Sequence, residues 1–314
     1  MKILVTGGCG YKGSVLIPKL LSIGHQVINF DTQWFGNYLS NNKNLKSIKG
    51  DIRDISKLSL EGVDVIIHLA NVANDPAVEL NPTMSWEINV LAGQQLIDKA
   101  KRANVKQFIF ASSGSVYGVK SEDKVTEDLL LVPISTYNKT KMIAERVFMS
   151  YSPYMKVHCV RPATVCGVSP RMRLDVAVNL LTFQAITKRE ITVLGGTQVR
   201  PNIHIDDICN VYLHLLFNSN NIESGFYNAG FENVSILNIA EMIASKIKCN
   251  IEIKPSNDPR SYKQESSKLL KTGFIPNKTI SNAIDEIVNA HDEGRLVDKD
   301  QWHTVRWMKL NNIK

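Results

Sequence analysis

Short apolar runs alternate along the first half of the chain with longer segments whose apolar residues recur at helical spacing. The short runs predict strands at 2–6, 26–30, 64–69, 106–111 and 155–161. The helical spacing predicts helices that include 11–23, 85–103 and 135–150. The strands are apolar throughout, which is typical of a parallel sheet covered by helices on both faces. We therefore predict an α/β fold with a doubly wound parallel sheet.

After about residue 165 this alternation loosens, and prolines and glycines separate shorter elements. Helical patterns recur there at 176–188, 206–217, 236–247 and 279–290. We predict a first domain over 1–165 and a smaller α/β lobe over 166–314, with segments at about 200–220 that return to the first domain. The tail at 291–314 carries no motif that we can interpret.

Composition excludes several classes of protein. The five cysteines form no CxxC pair and the seven histidines form no HExxH, so neither a disulfide scaffold nor a metal site is expected. Lysine and arginine exceed aspartate and glutamate by 37 − 30 = 7, but the basic residues are scattered, and we expect no nucleic-acid partner. The chain has no apolar run of about 18 residues and no signal-like N-terminus. We expect a cytoplasmic protein without a membrane partner.

A glycine-rich turn follows the first strand directly and opens the first helix. Gly7, Gly10 and Gly13 stand three residues apart in the sequence TGGCGYKG. Such glycines allow a tight turn, close approach of backbone to a pyrophosphate, and packing of helix on strand, with the phosphates on the helix N-terminus. The turn predicts a dinucleotide-binding site that includes Tyr11 and Lys12. Lys12 either reaches a phosphate or is an exposed helix lysine.

An aspartate ends the second predicted strand. Asp31 lies 18 residues after Gly13, where a carboxylate accepts hydrogen bonds from the adenosine ribose and would repel a 2′-phosphate. We infer NAD as the cofactor in preference to NADP. The alternative is that Asp31 only caps a turn. Asp51 and Ile52 are placed to meet the adenine, although an ordinary turn would look the same.

A tyrosine and a lysine stand four residues apart at the start of the helix predicted at 135–150. Tyr137 and Lys141 therefore share one helix face. A lysine ammonium one turn away would lower the phenol pKa, so that Tyr137 could exchange a proton with a substrate hydroxyl while a nicotinamide is reduced or oxidised. The strand at 106–111 ends in serines, and a hydroxyl there could steady the substrate oxygen.

These motifs carry a resemblance over nearly the whole chain. The sequence resembles extended short-chain dehydrogenases/reductases, in the NAD-dependent epimerase/dehydratase family that acts on nucleotide sugars. The motifs are TGGCGYKG, GDIRD at 50–54, HLAN at 68–71, SSGSVYG at 112–118, YNKTK at 137–141, RPATVCG at 161–167 and RPNIHIDD at 200–207. The resemblance implies a Rossmann domain that binds NAD and a smaller lobe that binds a nucleoside-diphosphate sugar.

The resemblance also implies roles for individual residues. Tyr137 would be the catalytic base, Lys141 its partner and a ligand of the cofactor ribose, and Ser113 a helper that contacts substrate. Other positions match cofactor or substrate ligands of the family, namely Leu69, Ala70, Asn179, Arg200 and Arg260. A homodimer through helices 85–103 and 135–150 and a role in polysaccharide biosynthesis are further implications. Arg171 and Arg173 are interpreted as surface charges.

The sequence departs from some members of this family. Nucleotide-sugar 4,6-dehydratases place Asp-Glu after the helper residue, whereas Gly114 and Ser115 stand here. Elimination chemistry would therefore lack its acid and base, and the glutamate of UDP-glucuronate decarboxylases is missing as well. Lys12 replaces an aliphatic residue that is usual in the family.

Three functions remain open at this level. The first is an NAD-dependent nucleotide-sugar 4-epimerase, which we favour. The second is a 4-dehydrogenase or 4-keto-sugar reductase, which would use the same residues. The third is a non-catalytic relative that only binds the dinucleotide, which would have no need of Ser113, Tyr137 and Lys141 together.

Overall fold

The computed structural model describes residues 1–256 and 261–313, and strands within these ranges form three sheets. In chain order the strands are β1 (Lys2–Thr6), β2 (Gln26–Asp31), β3 (Leu45–Lys49), β4 (Val65–His68), β5 (Gln107–Ala111), β6 (Lys156–Pro162), β7 (Thr164–Cys166), β8 (Glu190–Leu194), β9 (Val199–His204), β10 (Gly225–Ala229), β11 (Glu232–Ser235) and β12 (Asn250–Lys254). The largest sheet is parallel throughout, in the order β10-β6-β5-β4-β1-β2-β3. The predicted doubly wound sheet is therefore confirmed.

Helices surround this sheet and build the second lobe. In chain order they are α1 (Gly13–Ser22), α2 (Asp75–Val78), α3 (Pro82–Trp86), α4 (Ala92–Arg102), α5 (Thr136–Met149), α6 (Ala177–Lys188), α7 (Ile205–Phe217), α8 (Ile236–Lys246), α9 (Ser267–Leu270), α10 (Ile280–Asp292) and α11 (Thr304–Leu310). A π-helical turn at Glu87–Leu91 joins α3 to α4, and 3₁₀ turns occupy Gly114–Tyr117 and Asp300–Trp302. No helix among the described residues is both long and apolar enough to cross a membrane.

The two faces of the large sheet enter different cores. In β1, Ile3 and Val5 pack in a cluster that includes Leu16 of α1 and Ile208 of α7. Leu4, which points the opposite way, packs in a second cluster with side chains of α4 and α5. Because successive strand residues face opposite sides, a strand covered on both faces must be apolar at every position. This is the physical basis of the continuous apolar runs in the sequence.

Outside the large sheet, a smaller lobe has a core of its own. Its two-stranded parallel sheet pairs β8 with β12, and side chains of α6, α8 and α10 fill the cluster beside it. A third sheet has the order β11-β9-β7, and residues of β7 and β9 line the cavity described below. After β9, α7 packs on α1 and β5 of the large sheet. The division of the chain at residue 165 stays a prediction.

The structure differs from the sequence-based prediction at the sheet edges and at the C-terminus. Sequence analysis assigned no range to the outer strands β3 and β10, and it assigned no element to the tail, which forms α11. Strand β3 has only partly buried or exposed residues, so it lacks the continuous apolar run of the inner strands. The predicted helix at 85–103 is continuous with α3 and contains the π turn, whereas the helix predicted at 135–150 matches α5.

Candidate active site

A large cavity opens beside the carboxyl ends of β1, β4 and β5. Chain order along the sheet reverses between β1 and β4, and ligands of open α/β sheets bind outside such a switch point. The cavity measures about 1050 Å³, at the upper end of the ~300–1,000 Å³ typical of small-molecule sites. Its described lining carries seven lysines and arginines against four aspartates, so it favours anionic ligands.

Most of the residues singled out in the sequence come together in this cavity. It is lined by Gly7, Gly10, Tyr11, Lys12, Gly13, Asp31, Asp51, Ile52, Leu69, Ala70, Ser113, Tyr137, Lys141 and Arg200. Asn179 is not part of the lining. Arg260 lies outside the described residues.

The glycine turn has the geometry of a phosphate cradle. Gly7 has a positive φ of 73°, and a Cβ there would lie 2.5 Å from the backbone nitrogen of Ala70. A Cβ on Gly13 would lie 2.5 Å from the Cα of Gly8, so helix and turn could not pack as they do. Gly10 has only the Gly7 carbonyl oxygen near its missing Cβ and lines the cavity at the start of α1. The turn therefore fits a dinucleotide pyrophosphate at a helix N-terminus.

Asp31 both holds the turn and faces the cavity. One carboxylate oxygen accepts a hydrogen bond from the backbone N–H of Cys9 at 3.0 Å, and the other accepts from that of Gln33 at 2.6 Å. Burial raises the pKa of Asp31, while these hydrogen bonds and the charge of Arg171 act against the rise. The turn-capping and ribose-binding interpretations are therefore compatible, because remaining lone pairs of the carboxylate are available to a ligand.

Tyr137 and Lys141 lie on the first turns of α5, with Ser113 facing them from the end of β5. The Ser135 hydroxyl caps α5 by accepting from the backbone N–H of Asn138. The ammonium of Lys141 donates to the carbonyl oxygen of Ala111 at 2.8 Å and lies 5.9 Å from the centre of the Tyr137 ring. Helix α5 and strand β5 thus hold the three side chains in one corner of the cavity.

The electrostatics of this corner differ from the sequence-based expectation. Burial raises the pKa of Tyr137 to about 12, and it outweighs the hydrogen bond from Ser113 and the charge of Arg173, which act in the opposite direction. Burial, together with repulsion from Lys12, lowers the pKa of Lys141 well below its usual value. The predicted lowering of the phenol pKa is therefore not a property of the protein alone, because burial disfavours both charged forms.

Lys12 faces the cavity and is not an exposed helix lysine. Its ammonium lies 3.4 Å from the Tyr212 hydroxyl, and burial lowers its pKa to about 8. Within the described part of the chain, no carboxylate forms an ion pair with it. A buried amine that lines a cavity without a counter-charge from these residues is suited to an anionic ligand.

Small residues follow the helper serine for a structural reason. A Cβ on Gly114 would lie 3.2 Å from each of three neighbours, which are Gln264 Nε2, the Pro162 oxygen and the Tyr262 hydroxyl. Ser115 lines the cavity, and its hydroxyl lies 2.7 Å from that of Ser113. Neither position supplies a carboxyl group, so the acid–base pair of an elimination is absent from this part of the site.

Asn179 lies behind the cavity wall, where its side chain contacts other parts of the protein. It is fully buried, and its side-chain oxygen accepts from the backbone N–H of Gly167 at 3.0 Å. Its amide nitrogen donates to the Tyr11 hydroxyl at 3.0 Å and to the Arg173 oxygen at 2.9 Å. These contacts fasten the glycine turn to the segment after β7, and they leave Asn179 outside the cavity wall.

Two arginines interpreted as surface charges are part of the cavity instead. Arg171 is 3% exposed, and its guanidinium lies over the Phe35 ring at 4.1 Å from the ring centre. Arg173 forms an ion pair with Asp175 at 2.8 Å. A loop brings both arginines to the site, and the only local signal in the sequence is two arginines two residues apart.

The C-terminal tail also lines the cavity, and sequence analysis missed it. The lining includes His303, Thr304, Val305, Arg306, Met308, Lys309 and Leu310. Val305 and Met308 stand at helical spacing, which was the one local signal for α11.

Sequence analysis missed Asn89 as well, which lies within the π turn. Its side chain accepts from the backbone N–H of Val72 at 2.8 Å and donates to the Thr140 hydroxyl at 3.2 Å. These two hydrogen bonds connect the cavity loop to α5.

One cluster of metal-ligating residue types lies away from the cavity. The Nδ1 of His204 accepts from the backbone N–H of Asp206 at 3.1 Å, so its Nε2 carries the proton and donates to Glu286 at 3.0 Å. Lys278 and Lys19 form ion pairs with the two carboxylates at 2.8 and 2.9 Å. The ring nitrogens and carboxylates already have partners, so the cluster is a structural tie between β9, α7 and α10.

Comparison with known proteins agrees with this geometry. The sequence profile of the NAD dependent epimerase/dehydratase family matches residues 3–230. A protein of Bacillus subtilis described as an uncharacterized UDP-glucose epimerase is 34% identical over 262 residues, 77% of this chain and 81% of its own. The UDP-glucose 4-epimerase of Lactobacillus helveticus is 28% identical over 85% of this chain and 89% of its own.

Solved structures give the same result. The UDP-glucuronic acid 4-epimerase from Bacillus cereus, in complex with UDP-glucuronic acid and NAD, superposes with a TM-score of 0.80 and 30% sequence identity, over 92% of this chain and 99% of that one. The glycine cradle, the aspartate at the end of β2 and the tyrosine–lysine pair occupy one cavity, as a dinucleotide enzyme requires. The chain belongs to the NAD-dependent epimerase/dehydratase family.

Proposed function

We propose that the chain is an NAD-dependent nucleotide-sugar 4-epimerase. The observation that carries the proposal is the corner where Ser113, Tyr137 and Lys141 meet, next to Gly114 and Ser115, which have no carboxyl group. This set supports proton exchange at a hydroxyl and gives no support to elimination of water. Two of the relatives described above are 4-epimerases by name and the third is described as a UDP-glucose epimerase, which supports the same reaction.

The residues of the corner suit a simple sequence of events. When bound, NAD would supply a group that can accept a hydride from C4 of the sugar and later return it. Tyr137 would take the proton of the C4 hydroxyl and later return it, while Ser113 would donate a hydrogen bond to the same oxygen. Lys141 would bind the cofactor ribose, and its ammonium, with that of Lys12, would favour the phenolate once the cofactor is in place.

The other charged residues of the cavity suit the two ligands. Lys12 and the glycine cradle would bind the dinucleotide phosphates, and Asp31, Asp51, Ile52, Leu69 and Ala70 would surround its adenosine part. Arg200 lies in β9 on the opposite side, where a guanidinium suits the diphosphate of a nucleotide sugar. Arg260 and Asn179 stay predictions from the resemblance.

The assembly and the cellular role are further parts of the proposal. A homodimer through the helices at 85–103 and 135–150 is supported by the exposed apolar side chains of Leu91 and Ile143, which are 53% and 37% exposed. Apolar side chains on the outer faces of two neighbouring helices suit a helix-packing interface. Cytoplasmic location and a role in polysaccharide biosynthesis stay predictions.

The reaction can be tested with purified protein and a panel of nucleotide sugars, beginning with UDP-glucose and UDP-glucuronic acid. We expect each enzyme molecule to form many molecules of the 4-epimer without added nicotinamide, as measured by NMR. Reduced cofactor should not accumulate. No product that has lost one water should form, since Gly114 and Ser115 supply no acid or base. Stoichiometric NADH, or strict dependence on added NADH and a 4-keto sugar, would favour the dehydrogenase or reductase instead.

Cofactor choice gives a second prediction. The protein should bind NAD at least tenfold more tightly than NADP, because the partly buried carboxylate of Asp31 would lie beside the 2′-phosphate. Asp31→Ser should narrow this ratio, whereas Asp51→Asn, a change at a neighbouring strand end, should leave it near the wild-type value. Calorimetry on protein stripped of nucleotide measures both affinities. Equal or tighter binding of NADP to the wild type would contradict the role of Asp31.

A further inference from the structure

Arg171 is a buried cation that the charge of Asp175 attracts but that has no direct anionic contact within residues 1–256 and 261–313. Its Nη2 donates to the Thr304 hydroxyl at 3.3 Å, its Nη1 approaches the Met172 oxygen at 3.5 Å, and its Nε has no hydrogen-bond partner. No carboxylate among the described residues forms an ion pair with it. Burial and the charge of Arg173 lower its pKa to about 10, so the guanidinium stays charged at neutral pH. Burial of a charge without a partner is costly, which points to a ligand that supplies the anion.

The position of Arg171 indicates which ligand this is. Its backbone N–H donates to the Ser14 hydroxyl at 3.4 Å, within the first turn of α1, and its guanidinium covers Phe35 in the loop after β2. Its charge also acts on Asp31. The side chain therefore extends along the cofactor end of the cavity, between the glycine cradle and the adenosine-binding aspartate. The anion expected along that line is the dinucleotide pyrophosphate.

The C-terminal segment holds this arginine in place. We define the C-terminal clasp as residues 300–310. Two hydrogen bonds add to the one from Arg171 to Thr304. The Trp302 oxygen accepts from the backbone N–H of Leu174 at 2.9 Å, and the backbone N–H of Thr304 donates to Asp175 at 3.2 Å. Asp175 in turn pairs with Arg173. One side of the clasp is therefore fastened to the loop that carries both arginines.

The other side of the clasp is fastened to the loop after β2. The indole N–H of Trp307 donates to the backbone oxygen of Trp34 at 2.5 Å. Met308, which is 1% exposed, packs in the same core cluster as Trp34 and Phe35. The clasp thus connects the two loops that flank the cofactor end of the cavity, and its own side chains line that end.

We propose that Arg171 binds the pyrophosphate of NAD and that the C-terminal clasp, by fixing Arg171 to the loop after β2, slows dissociation of the cofactor. The two loops would separate only when the Trp307–Trp34 hydrogen bond breaks, so release of NAD would require that the clasp opens. This inference concerns the cofactor, and it holds whether the sugar is epimerised or reduced. Its failure would therefore leave the proposed reaction untouched.

The first test separates a phosphate contact from a structural role. Protein stripped of nucleotide is titrated with NADH, and ADP or adenosine then displaces it, as followed by NADH fluorescence. Arg171→Met should weaken ADP binding at least tenfold and leave adenosine binding within twofold, because only ADP carries the anion. Arg171→Lys should recover part of the loss. Arg295→Met, at an exposed arginine paired with Glu293, should change neither affinity.

The second test concerns the clasp and does not require that Arg171→Met folds. Trp307→Phe removes the indole donor but keeps an aromatic ring, and it should speed NADH dissociation about threefold to tenfold in stopped-flow experiments. Trp86→Phe is a matched control that should dissociate NADH at the wild-type rate, because Trp86 lies outside both the clasp and the cavity lining. The proposal would be overturned if Arg171→Met left ADP affinity unchanged or lowered ADP and adenosine affinity equally. It would also be overturned if NADH dissociated from Trp307→Phe and from the wild type at the same rate.

Discussion

Tyr137→Phe is expected to lower turnover by about 10²–10⁴-fold, the range typical for loss of a general acid–base group. In the proposed reaction the phenol would exchange a proton with the substrate hydroxyl, and phenylalanine keeps the ring and its packing. Affinity for NAD and for the nucleotide sugar should change by less than about threefold, because the hydroxyl exchanges a proton but carries little of the binding. Steady-state kinetics and calorimetry measure the two quantities separately.

A second tyrosine provides the control for this experiment. Tyr151 donates its hydroxyl to Asp98 at 2.5 Å, outside the cavity, and Tyr151→Phe removes the same atom from a half-buried tyrosine. Turnover of that variant should stay near the wild-type value. If Tyr137→Phe turned over nearly as fast as the wild type, the proton would be exchanged by another group. A parallel loss of cofactor affinity would mean that the hydroxyl has a structural role.

Glu145→Ala is expected to lower the free energy of unfolding by about 3–5 kcal/mol, the usual cost of breaking a buried ion pair on one side. Both oxygens of Glu145 accept from the guanidinium of Arg161, at 2.9 and 2.8 Å, and the two side chains are 0% and 1% exposed. Removal of the carboxylate leaves a buried guanidinium whose remaining partners are the Tyr117 hydroxyl and a backbone oxygen. Urea unfolding measures the change.

Two further variants determine what the loss means. Glu87→Gln removes one partner of the exposed Arg53 and should cost no more than ~1 kcal/mol. The double variant Glu145→Leu/Arg161→Met replaces the buried pair by apolar side chains and should recover most of the stability. A loss below about 1 kcal/mol in Glu145→Ala, or no recovery in the double variant, would show that the pair is not the source of the effect.

Local sequence was sufficient for the inner part of the fold and for the cofactor cradle. The inner strands β1, β4 and β5 each contain an uninterrupted run of at least three apolar residues because both of their faces are covered, and that pattern can be read without the structure. Gly7 and Gly13 can also be recognised from the sequence, because a tight turn and the close approach of two backbone segments both require glycine. Tyr137 and Lys141 are adjacent because one helix carries both.

The outer strands were harder to predict for a physical reason. Strand β3 lies at an edge of the sheet, so its side chains are half-exposed and no continuous apolar run marks it. Strand β10 lies at the opposite edge, and it pairs with β6 across more than 60 intervening residues. Pairing at such separation is decided by the packing of the whole domain, which no local pattern records.

The sequence by itself determined the inner strands of the sheet, the glycine turn, the place of Asp31 at the end of a strand and the pairing of Tyr137 with Lys141, because each depends on residues that are close in the chain or on a periodic pattern. Only the tertiary structure decided the places of Arg171, Asn179 and the C-terminal tail. Arg171 meets Phe35 from a loop 136 residues away, and Trp307 meets Trp34 across 273 residues. An arginine in a loop looks the same in sequence whether it points to water or into a cavity, and it is the packing of distant segments that buries one and exposes another.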